Sequence, residues 1–87
     1  MITKDNLTEV LNLLTEKEIN ETMNSNTNYI GLWLSSYGKV NLQPVSMYDD
    51  EMINDIESTG GLVCDKDDFL RLFKKSKSIN PFLIAFL

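Results

Sequence analysis

Residues 29–45 constrain the fold more than any other stretch, because strict alternation, a turn signal and the single tryptophan coincide there. Ile30, Leu32 and Leu34 on one arm, and Val40, Leu42 and Pro44 on the other, put apolar residues at even positions. The odd positions hold Tyr29, Gly31, Trp33, Ser35, Lys39, Asn41 and Gln43. A period of two with one apolar face marks a half-buried strand. The loop decides the pairing. A two-residue Gly38-Lys39 turn would set Leu34 opposite Gln43 and leave Pro44 where a ladder N–H is needed. A three-residue loop, Ser36-Tyr37-Gly38, with Gly38 in the left-handed conformation, pairs Leu34 with Val40 and Leu32 with Leu42. All the apolar side chains then fall on one side, so this register is expected. Pro44 makes the second arm an edge strand or ends its pairing. Tyr29 and Trp33 share the opposite face, either as a contact surface or as core beneath a covering helix.

The flanking segments read as helices and one more strand. Leu7, Val10, Leu11 and Leu14 form an amphipathic stripe after Thr3, with Asp5 early, where the helix dipole favours an anion. Thr15 and Glu18 have capping-box spacing, so a second helix to about Asn24 is expected, unless the first simply continues. Asn24 to Asn28 is turn chemistry. Tyr48, Met52, Ile53 and Ile56 line one face of a helix that opens on Asp49, Asp50 and Glu51 and stops at Gly60-Gly61. Leu62-Val63-Cys64 fits a third strand. Asp65 caps a further helix, with Asp68 as its reciprocal partner, Phe69, Leu70 and Phe73 as its buried face and Arg71, Lys74 and Lys75 toward its C-terminus. The apolar run Pro81 to Leu87 is expected as a buried strand, with a helix capped by Asn80 as the rival. The expected fold is α+β: one domain over 1–87, a small mixed sheet built on the 29–47 hairpin, and two to four helices packed on one face.

Charge is distributed in blocks. The net charge is −5 over 87 residues, but residues 49–68 carry eight acids and one base, and residues 69–87 carry four bases and no acid. Such blocks predict a polar charge distribution, provided that folding does not interleave them. The absence of histidine removes the commonest general acid/base and the commonest transition-metal ligand. Cys64 is the only cysteine, which suits a reducing compartment. No signal-like or membrane-spanning run is present, and a cytoplasmic location is expected.

Tests for chemistry favour plain structural roles. Asp65-Lys66-Asp67-Asp68 fails as a calcium loop, since the glycine and the distal glutamate are replaced by Leu70 and Ser76. Gly60-Gly61 lacks the spacing of a phosphate loop. Cys64 has no histidine to serve as its base and three aspartates that favour the protonated thiol. The acids Asp49, Asp50, Glu51 and Asp55 read as a solvated helix face. No enzymatic activity, cofactor or metal is expected.

The leading expectation is a small acidic protein-binding module, an inhibitor or regulator of a basic, nucleic-acid-handling protein. Tyr29, Trp33 and Tyr37 would anchor the partner, and Asp50, Glu51, Asp55 and Glu57 would form the acidic rim. The edge strand ending at Pro44 is a second docking route, by strand addition. Two alternatives stand beside this. One is nucleic-acid binding through Arg71, Lys74, Lys75 and Lys77, with Trp33 stacking on a base. The other is a self-associating adaptor or homodimer that uses the C-terminal run and the Leu7/Leu11/Leu14 helix.

Overall fold

A computed structural model describes all of residues 1–87. The order of elements is α1 (Leu7–Asn12), α2 (Glu16–Met23), β1 (Tyr29–Leu34), β2 (Val40–Val45), α3 (Asp50–Ser58), β3 (Leu62–Asp65), α4 (Lys66–Lys75) and α5 (Pro81–Ile84). The α+β class and the hairpin at its base are as expected. Leu34 pairs with Val40 and Leu32 with Leu42. The loop has the expected form too: Gly38 has φ +85°, its N–H donates to Ser35 O at 2.9 Å, and Ser35 N–H donates to Lys39 O at 2.9 Å.

The sheet order is β2-β1-β3. In place of the expected mixed pairing, both pairings are antiparallel, with Ile30 opposite Cys64 and Leu32 opposite Leu62. The two edge strands therefore run parallel to each other on either side of β1, and α3 crosses from one edge to the other. This split β-α-β arrangement corrects a second expectation, that helices occupy one face only. The even face, Ile30, Leu32, Val40 and Leu42, packs into the main core with Val10, Leu11, Leu14, Ile19, Phe69, Phe73 and Leu83. The odd face is covered by α3, whose Ile56 is buried beside Gly31 and Val45. Val45, the apolar residue on the odd side of β2, has α3 as its reason for being there.

Local chemistry sets the helix ends. Thr15 Oγ1 accepts from Glu18 N–H at 3.2 Å while Glu18 Oε1 accepts from Thr15 N–H at 3.4 Å, so a new helix starts after α1 rather than α1 continuing. Asp49 Oδ1 accepts from Met52 N–H and Asp65 Oδ1 from Asp68 N–H. Asp68 does not return the cap; its carboxylate pairs with Arg71 instead. At the end of α3, Gly60 N–H bonds Glu57 O and Gly61 N–H bonds Ile56 O, each at 3.0 Å, the paired closure of a helix stop with Gly60 at φ +81°.

The C-terminal run is a short helix, not the expected strand, and brings the helical segments to five. Asn80 explains it. Its side-chain Oδ1 accepts from Phe82 N–H at 3.0 Å, Pro81 occupies the first helical position, and Asn80 Nδ2 donates to Leu11 O at 2.9 Å and Leu14 O at 3.0 Å. Leu11 O, at the end of α1, has besides only a long bond of 3.4 Å from Leu14 N–H, and Leu14 O lies in the link between α1 and α2. One buried amide thus caps α5 and closes α1, and Leu83 is carried into the core.

Candidate functional site

The residues that sequence reasoning selected fall into three places. Trp33 lies on the odd face, half-buried at the edge of α3, with its indole Nε1 donating to Gln43 Oε1 at 3.0 Å and Gln43 Nε2 reaching Met52 Sδ at 3.3 Å. It borders a shallow depression of about 140 Å³ with Asp55, Ile56 and Thr59. Tyr29, also half-buried, lines a different depression of about 260 Å³ with Asn26–Asn28, Ser46, Met47 and Tyr48. Between the two rings on β1 sits Gly31, and Ile56 fills the space above it. The pair is therefore not one aromatic surface. Tyr37 stands apart on the hairpin loop, 81% exposed.

Asp50, Glu51, Asp55 and Glu57 are all exposed on α3, which carries no base. None of them forms an ion pair; the sole ion pair of the molecule joins Asp68 to Arg71 on α4. Since α4 packs on the opposite face of the sheet, folding separates the acidic helix from the basic one instead of interleaving them. The acids are brought together with Trp33 at one end of α3, through Asp55.

Tyr48 corrects a sequence expectation. The apolar spacing predicts it on one face of α3 with Met52, Ile53 and Ile56, yet it is 86% exposed, because Asp49 is the cap and Tyr48 precedes the helix. With Met47, also exposed, it gathers beside Tyr29 next to the acidic first turn of α3. Asp49, a preferred capping residue, is the signal that could have placed Tyr48 outside the helix.

The alternatives fare differently residue by residue. Arg71 is engaged by Asp68, and Trp33 and α4 lie on opposite faces, so the tryptophan and the C-terminal cations do not form one surface. Lys75 and Lys77 meet Lys4 around an open depression. Leu11 and Leu14 are buried in the core, so the α1 stripe is not free for self-association. The edge of β2 is also occupied: Leu42 N–H donates to Glu18 Oε2 at 3.3 Å and Leu42 O accepts from Thr22 Oγ1 at 3.4 Å. Strand addition at β2 is blocked by α2.

Cys64 is partly buried beside the core, and burial first, then the charges of Asp65 and Asp68, push its thiol up to about 11. It is a packing residue with little thiolate at neutral pH. No three histidine, cysteine or acidic side chains converge in a way that would hold a metal ion. No helix is long and apolar enough to cross a membrane. No protein-family model matches the chain, and neither a curated protein nor a solved structure is significantly similar to it.

Proposed function

We propose that this protein is a small, non-enzymatic binding module whose α3 face docks on a basic protein. The observation that carries this reading is the set of exposed, unpaired carboxylates on α3, Asp50, Glu51, Asp55 and Glu57, on the side of the sheet away from α4. Like charges held on one rigid face speed the encounter with an oppositely charged partner, and aromatic groups beside them supply the short-range contact. Trp33 adjoins Asp55, and Tyr29, Met47 and Tyr48 adjoin the first turn of α3. Tyr37, on the separate hairpin loop, is a peripheral contact in this reading.

A basic protein whose cationic groove handles nucleic acid is the natural occupant of such a face, and the module would then act as its inhibitor or regulator in the cytoplasm. Tagged protein used to capture partners from the source cell tests the reading, with Asp50, Glu51, Asp55 and Glu57 reversed to lysine as the control. Basic proteins retained by the wild type and lost by the reversed form are expected. Retention of the same proteins by both forms would overturn the proposal.

A further inference from the structure

The two edges of the sheet are treated differently. On β2 the outward-facing groups of Leu42 are taken by Glu18 and Thr22 of α2, and Pro44 has no N–H to offer. On β3 the register sets Leu62 and Cys64 in bonded pairs with Leu32 and Ile30, so alternation turns Val63 N–H, Val63 C=O and Asp65 N–H away from β1. No side chain and no loop backbone group bonds to them, and every residue of β3 is partly exposed. Unpaired ladder groups at an open edge are a template for another strand.

The charge around this edge selects the strand. Asp65 and Asp67 lie at its downstream end, where Asp68 is already paired with Arg71, and α3 crosses to it with Asp55 and Glu57 exposed. Lys66, in the same stretch, is turned away, its Nζ donating to Ser25 O at 2.7 Å. Lys4 lies near Leu62 at the upstream end. A second copy of the chain is a poor match. Symmetric pairing about Val63 would set Asp65 of each copy against Gly61, at the end of the other copy's acidic α3.

We infer that β3 accepts one extended, lysine- or arginine-bearing segment of a protein partner as a fourth strand of the sheet. The inference rests on the acidic-module reading above and names how that module binds. Backbone bonds to Val63 and Asp65 hold the segment, and cationic side chains meet the acids of α3 and the start of α4.

The test uses a soluble alternating lysine-valine peptide and the same peptide N-methylated at alternate amides, with the intact protein followed by amide NMR. The unmodified peptide is expected to shift the Val63 and Asp65 amides and slow their exchange, while the already bonded Leu62 and Cys64 amides change little. Binding is expected to be lost with the N-methylated peptide and with Val63→Pro, a substitution that an edge strand tolerates. The peptide arm stands even if that variant does not fold. Binding that leaves Val63 and Asp65 unchanged, or that survives N-methylation, overturns strand addition and leaves the acidic-face reading intact. No binding at low salt overturns both. Val63 protection that rises with protein concentration in the absence of peptide identifies a second copy as the occupant and overturns the inference.

Discussion

The Cδ1 atom of Ile56 occupies the space in which a β-carbon on Gly31 would stand. A methyl group built at Gly31 falls 2.6 Å from that atom and 3.1 Å from Val45 Cγ2. The missing side chain lets α3 settle directly on the central strand, which is how an acidic helix comes to be fixed between Tyr29 and Trp33. Gly31→Ala is expected to destabilise the domain by about 1–3 kcal/mol, the usual range for overpacking. Ile56→Val removes the Cδ1 atom, so the alanine should cost clearly less in that background. Urea denaturation of the four proteins of this cycle measures the coupling. Additive effects would mean that the two residues do not touch.

Asn80 ties two helix ends together through three hydrogen bonds. Asn80→Ala strands the Leu14 carbonyl, leaves Leu11 O with only its long bond from Leu14 N–H, and uncaps α5, and a loss of about 2–4 kcal/mol is expected from a buried group left unpaired together with a lost cap. Asn80→Asp keeps the capping acceptor but turns an oxygen toward two carbonyls, so it should rescue little. Thermal unfolding checks both variants. Rescue by aspartate would assign the role of Asn80 to α5 alone.

The Cys64 thiol, raised to about 11 from the ordinary 9.0, should react slowly with alkylating reagents at neutral pH and quickly only after unfolding. Between pH 9 and 11 the unfolded thiol ionises while the folded one stays protonated. Ionisation there favours the unfolded chain, so stability that is complete below pH 9 falls as the pH rises toward 11. Cys64→Ala should lack that part of the decline, as pH-resolved denaturation would record.

Much of this architecture is legible in the sequence where the local signal has one reading. The Gly38 loop and the even-position apolar residues allow a single register. Asp65 marks a helix start by its own chemistry, and Thr15 with Glu18 favours a new helix over continuation of the first. Sequence reasoning failed where two signals competed. The apolar run from Pro81 suggests a strand and the Asn80 cap with Pro81 at the first helical position suggests a helix, and the cap decides the matter. The covering of the odd face depended on a contact distant in sequence, between Gly31 and Ile56. Its local traces were Tyr29 and Trp33 on that side, which admitted a covering helix as one of two readings, a glycine within the strand, and Val45. The exposed acids of α3 were legible as a set. Their segregation from the cations of α4 was not, because it depends on which face of the sheet each helix covers.

The Asp55 and Glu57 carboxylates lie in the C-terminal half of α3, where no base offsets the helix dipole. Asp55→Lys with Glu57→Lys should therefore leave the fold intact or stabilise it by roughly 0.3–1 kcal/mol per site. Partner binding should weaken all the same. These substitutions separate docking from folding better than Trp33→Ala does, since half-buried Trp33 is bonded to Gln43 and its loss would disturb α3.

The central claim, that an acidic α3 face captures a basic protein, is tested most directly by the association rate of the captured partner measured against ionic strength. The wild type should associate quickly at low salt and slow steeply as salt is added, while the Asp55→Lys/Glu57→Lys protein should start slower and depend less on salt. Rates that are the same for both proteins and flat with ionic strength would contradict it.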